Sequence, residues 1–163
     1  MKTKTKVLLG ASAAAVVGIA LATPIVNLAS PILSSGSNDQ AFNINGFYPV
    51  EGGYYKIGLT TNRPSSIETQ VASYSAGGEN GWHSHAGLVA VTLVSGTIDW
   101  YDANCNKTTY TAGQSWLEGS QIHSFKNASP STVLLTATFI VSKGAPLRID
   151  QPAPPCAAEL GLN

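Results

Sequence analysis

From residue 54 onward no stretch sustains a helical stripe. β-branched, aromatic and aliphatic residues gather in short runs, each closed by Gly, Pro, Asn, Asp or Ser. That punctuation is the tightest constraint on the fold, because such runs bury one face only by pairing edge to edge into sheet. The segments 54–61, 67–75, 88–94, 96–101, 108–111, 115–117, 122–126 and 133–141 read as strands, with 77–81 a loop and 102–107 a turn. Side chains alternate along a strand, which places Ile67, Thr69 and Val71 on one face, and Val133, Leu135, Ala137, Phe139 and Val141 on another. Many short strands with frequent turns imply a single all-β domain, a sandwich or barrel.

The remainder of the chain frames that domain. Lys2, Lys4 and Lys6 precede an uncharged apolar run, and Ala20-Leu21-Ala22 is a small-residue cleavage pattern. Residues 1–22 therefore read as a secretory signal peptide. The alternative is an uncleaved membrane anchor reaching Ala29, since Val7 to Ala29 is long enough to span a bilayer. The expected location is extracellular or the cell envelope. Residues 23–53 are expected to be a spacer and arm: 30–39 flexible, 40–53 extended across the barrel. Residues 54–142 form the barrel. The tail, 143–163, carries Pro146, Pro152, Pro154 and Pro155 and is unsuited to a sheet interior. Cys105 and Cys156 are the two cysteines, and an even count behind a signal peptide predicts a disulfide pinning the tail. Cleavage after Ala22 removes three lysines, leaving six basic against nine acidic residues, a charge of about −3. No basic patch supports nucleic-acid binding. Asn106-Lys107-Thr108 and Asn127-Ala128-Ser129 match glycosylation sequons.

The chemistry concentrates in three histidines. His83 and His85 are two apart, so on a strand both imidazoles face one way. His123, the third, opens the strand-like segment that follows Glu118-Gly119-Ser120. Neutral imidazoles bind metal at roughly 2.0–2.1 Å, and such a trio suits a divalent transition metal: Fe, Mn, Ni, Cu or Zn. The bland alternative is a polar surface pair at His83 and His85.

Gly77, His83, His85 and Gly96 resemble the first motif of the cupin superfamily, and Gly113, Gly119, His123 and Asn127 resemble its second. The resemblance covers about residues 54–142 and implies a cupin-type jelly-roll β-barrel. It departs from the pattern in one ligand. The motif's glutamate falls at Val89, or at Ala90 with the longer spacing, and neither side chain binds metal. The implied metal ligands are His83, His85 and His123, similar to the three-histidine dioxygenases of the superfamily. Glu79, Glu118 and Gln121 are candidate fourth ligands, with solvated loops as the alternative place for each. Trp82, Trp100, Tyr101, Trp116 and Phe125 are candidate pocket walls, or else barrel core. Two functions stay open at this point: a metal-dependent, dioxygenase-like enzyme acting on a small molecule, or a non-catalytic module binding a sugar or phenolic with structural or no metal. The resemblance also implies a homodimer.

Overall fold

A computed structural model describes residues 26–29 and 31–162. The signal-peptide reading of 1–22 lies outside them, as does most of the alternative anchor. Among the described residues no helix is long and apolar enough to cross a membrane.

The strands follow in chain order as β1 (Val26–Ala29), β2 (Ile32–Asn38), β3 (Asn43–Val50), β4 (Gly53–Thr60), β5 (Ser65–Glu79), β6 (His83–Ser84), β7 (Gly87–Ser95) and β8 (Thr97–Asp102). They continue as β9 (Lys107–Thr111), β10 (Ser115–Glu118), β11 (His123–Asn127), β12 (Val133–Ser142) and β13 (Ile149–Asp150), before one short helix, α1 (Ala157–Leu160). An 11-stranded sheet takes all of them but β3 and β4 and curls into a nearly closed barrel. One wall runs β10-β7-β12-β5, with β1 and β2 also on β5; the other holds β9-β8-β11-β6-β13. The walls meet where Glu79 of β5 pairs with Lys126 of β11. This is the all-β barrel that the run pattern implies, in the jelly-roll form that the resemblance implies.

The inward faces fill the core. On β12 every second residue from Val133 to Val141 is buried, as alternation requires. Val89, Val91 and Leu93 of β7 and Trp116 of β10 join them, with Ile98 and Phe125 from the opposite wall. A second, smaller cluster packs Trp82 and Tyr101 under Ala157 and Leu162 of the tail. The Cys105–Cys156 disulfide holds that tail down, across a separation of 51 residues.

Four local readings need correction. Residues 32–38, expected to be flexible, pair along β5 as β2. Residues 54–61 do not enter the barrel; β4 pairs with β3 as a separate hairpin across Glu51-Gly52, where Gly52 has φ +80°. Closing so short a turn costs little loop entropy, so local pairing wins over a distant barrel edge. The expected loop at 77–81 is largely strand, since β5 continues through Gly77 (φ +70°) to Glu79. The inward face of β5 belongs to Ala72 and Tyr74, whereas Ile67 is exposed.

The second sequon is consumed by the fold. Asn127 is buried, and its Nδ2 donates to the carbonyls of Tyr74, Ser75 and Ser131. The motif asparagine thus clamps the β5 backbone beside the turn into β12.

Candidate metal centre

Strand register brings the histidines together. His83 of β6 lies directly across from His123 of β11. His85, two residues on, is fixed by its own N–H donating to the Gly119 carbonyl at 2.9 Å. All three rings are buried, and their ligand atoms lie within 4.8 Å of one another. Ring centroids are 4.8 Å apart for His83–His85, 4.4 Å for His83–His123 and 5.0 Å for His85–His123.

Each ring is oriented from behind. Nδ1 of His83 meets the Gly81 carbonyl at 2.8 Å, Nδ1 of His123 meets the Gln121 carbonyl at 2.8 Å, and Nδ1 of His85 meets the Leu147 carbonyl at 2.6 Å. A carbonyl oxygen only accepts, so Nδ1 carries the proton in each ring. In the neutral ring Nε2 then presents a lone pair. Such backing of the outer nitrogen is how metal-ligating histidines are held. Trp100 adds a face, stacking on His123 with 5.7 Å between centroids.

Glu118 supplies the carboxylate. It ends β10, is buried, and faces inward rather than lying in a solvated loop. Oε1 accepts from the indole N–H of Trp116 at 2.8 Å and of Trp100 at 3.1 Å. Oε2 stands 3.1 Å from His85 Nε2 and 3.3 Å from His123 Nε2. Cross-strand partners share a face of the sheet, and the residue directly across from Glu118 is Val89 of β7. The carboxylate absent from the motif position thus arrives from the adjacent strand, at the same level of the barrel.

Electrostatics matches this arrangement. Burial pushes the His83 imidazole down to about 2, with the neighbouring charges of His123 and Arg148 adding to it, so the ring is neutral. Burial alone would raise the Glu118 carboxyl, but a proton held between Oε2 and Nε2 of His123 and His85, together with the Trp116 indole N–H, outweighs it and keeps the group ionised. Imidazole lone pairs facing a carboxylate oxygen repel across this gap unless a cation or a proton lies between. His123 Nε2 is moreover buried without a hydrogen-bond partner. Three nitrogens and one oxygen with this orientation fit a divalent transition metal, whichever of Fe, Mn, Ni, Cu and Zn it is.

The other candidates fall elsewhere. Glu79 pairs with Lys126 at 2.7 Å. Gln121 is exposed and contributes only its backbone carbonyl to His123. Trp82 and Tyr101 are not pocket walls but the buried floor beneath the tail. Trp100 and Trp116 act on Glu118 rather than lining the cavity, and Tyr110 stacks on Trp116 at 4.4 Å. Phe125 does line it.

Beside the cluster opens a cavity of about 260 Å³. His83, His85 and Glu118 form one end, and Ala72, Val91, Leu135, Ala137 and Phe139 give it an apolar wall. Tyr74 and Arg148 also border it. Burial keeps the Tyr74 hydroxyl protonated, against the opposing pull of Arg148. Sequence reading missed Tyr74, Leu147 and Arg148. The last two sit in a Pro-rich tail with no motif, and only the three-dimensional return of that tail to β6 reveals them.

No protein-family profile matches the chain, and no curated protein matches it. Solved structures do. An uncharacterized conserved protein with a double-stranded β-helix domain from Klebsiella pneumoniae is 20% identical, with 66% of this chain and 83% of that one covered and a TM-score of 0.46. A cupin domain from Bordetella pertussis is 17% identical over 61% of this chain and 94% of that one, with a TM-score of 0.42. The polyketide cyclase RemF from Streptomyces resistomycificus is 11% identical over 57% of this chain and 68% of that one, with a TM-score of 0.46. These are partial resemblances of shape. The topology and the meeting of both histidine segments at one point agree with the jelly-roll barrel that the sequence resemblance implies.

Proposed function

We propose that this chain is a secreted, metal-dependent cupin acting on a small molecule held in the cavity beside His83, His85, His123 and Glu118. One observation carries the reading: three imidazoles and a carboxylate converge, and each outer nitrogen is already committed to a backbone carbonyl. A metal bound there supplies Lewis acidity and, if redox-active, a site for O2. Trp100 and Trp116 orient the carboxylate, and the apolar wall excludes water from the small molecule. Tyr74 offers a protonated hydroxyl at the cavity edge. The carboxylate makes the donor set unlike a pure three-histidine dioxygenase, so oxygenase chemistry is one branch of the proposal and hydrolytic or lyase chemistry another. The disulfide is consistent with an oxidising compartment.

A second reading is favoured by the wall of Ala72, Val91, Leu135, Ala137 and Phe139. A chiefly apolar cavity also suits a module that binds a small ligand without converting it.

The test is elemental analysis of protein purified without chelator or affinity tag, beside His83→Ala, His85→Ala and His123→Ala. We expect about one transition metal per chain, lost in each variant. Folded wild-type protein without metal, and unable to take up Zn2+, Mn2+ or Fe2+ at neutral pH, would overturn the metal reading and leave the binding module.

A further inference from the structure

We propose that Arg148 is an anion-recognition residue of the cavity and that the molecule bound there carries a carboxylate. This rests on the cavity being the ligand site, as proposed above, and adds its chemical class.

Arg148 directly follows Leu147, whose carbonyl holds His85, and it precedes β13, which pairs with the histidine strand β6. The chain thus delivers a guanidinium to the edge of the metal-site cavity, which Arg148 lines. One side of the fork is occupied: Nε donates to Asp150 Oδ1 at 2.5 Å. The other is not. Nη2 is buried and has no hydrogen-bond partner. Its charge is felt in the cavity, where it helps to depress His83 and opposes the burial-driven rise of Tyr74.

A buried donor left unmade costs roughly 1–3 kcal/mol, more when charged. Such a cost is seldom carried without a role. The group that satisfies it must be an acceptor. Beside its apolar wall the lining holds the acceptors Asn80 and Glu118, but Asn80 Oδ1 is taken by Ser124 and the Phe125 N–H, and Glu118 by the two indoles and the histidines. A planar, permanently charged fork matches a carboxylate in shape and sign. Asp150 fixes the guanidinium from outside, so binding orders little that is free. The ligand is then a small carboxylic acid, its acid group on Arg148 and its apolar body along β12, with its remaining end toward the histidines.

Ligand-detected NMR tests this with acetate, propionate and benzoate, each against its uncharged amide. The proteins are wild type, Arg148→Met and Arg148→Lys, each with and without Zn2+. Arg148 is partly exposed, and thermal unfolding checks that the variants fold. We expect at least one acid to bind wild type about tenfold or more tighter than its amide. Metal removal should keep that preference, Arg148→Met should abolish it, and Arg148→Lys, which keeps charge without the fork, should reduce it. Amide binding should be unchanged in the variants. No acid preferred over its amide overturns the proposal. So does a preference that survives Arg148→Met and vanishes on metal removal, because the metal would then be the anion site. Failure of Zn2+ to bind, with the preference intact in metal-free protein, would sink the metal reading and leave this one standing.

Discussion

Replacing Glu118 by glutamine is expected to weaken metal binding while leaving the metal-free protein at least as stable. The carboxylate has two faces. Oε1 accepts from both indoles, and a glutamine carbonyl can do the same. Oε2 faces Nε2 of His85 and His123. In the variant an amide N–H2 stands there and donates to those lone pairs, replacing repulsion by hydrogen bonds. Without metal the change should therefore be neutral or stabilising by about 1 kcal/mol. With metal the sign reverses, because an amide nitrogen is no ligand and its protons point at the ion. Taking a loss of about 100-fold in affinity, metal at 100 times the wild-type dissociation constant stabilises wild type by about 2.7 kcal/mol and the variant by about 0.4 kcal/mol. For a chain of this size the gap is roughly 5–9 °C in melting temperature. Thermal unfolding of both proteins, in chelator and in saturating Zn2+, reads both effects at once. Equal metal-induced shifts would refute ligation by Glu118. A metal-free variant less stable by several kcal/mol would refute the claim that its carboxylate is unrelieved without a cation.

Two further changes probe the frame. His83 is held neutral to about pH 2 against a free value of 6.5. The unfolded chain therefore binds one more proton between those limits, and stability falls as pH drops below 6.5, by about 1.4 kcal/mol per unit from this group. Urea unfolding in chelator between pH 4.5 and 6.5, above the range where the depressed Glu118 carboxyl contributes, should show that slope in wild type and lose it in His83→Asn; a flat wild-type profile would contradict the assignment. Cys105→Ser with Cys156→Ser should lower stability by about 4 kcal/mol, from the 51-residue separation. It should also loosen Ala157 and Leu162 over Trp82, seen as a red shift of tryptophan emission; an unshifted spectrum would show that the tail stays docked without the bond.

The histidine trio was legible because its information is local. A spacing of two on a strand fixes a common direction, and β6 and β11 needed only to be neighbours. The buried stripe of β12 was legible for the same reason. Glu118 was ranked among loop residues because spacing along the chain cannot see cross-strand register: its meaning comes from lying opposite Val89. The aromatic content of Trp82 looked like a cavity wall, yet its place is set by the disulfide-held tail. On β5 Ile67 faces outward, while Ala72 and Tyr74 are buried and border the cavity. The β3–β4 hairpin was hidden because its aromatic side chains, Phe47, Tyr48, Tyr54 and Tyr55, imitate core strands while remaining exposed.

The bond from His85 Nδ1 to the Leu147 carbonyl spans 62 positions of sequence. Its two counterparts, at His83 and His123, reach back only two residues and form as soon as their own turns close. The three imidazoles are therefore set at different stages of folding. Two are ready when the local segments are ready; the third waits for the chain's end to come home. A shortened version ending at Ser142 would keep both histidine motifs and every strand of the two walls except β13, yet leave one ring free to choose the wrong tautomer. The smallest piece of this protein worth expressing on its own therefore includes the stretch that looks, by composition, most dispensable.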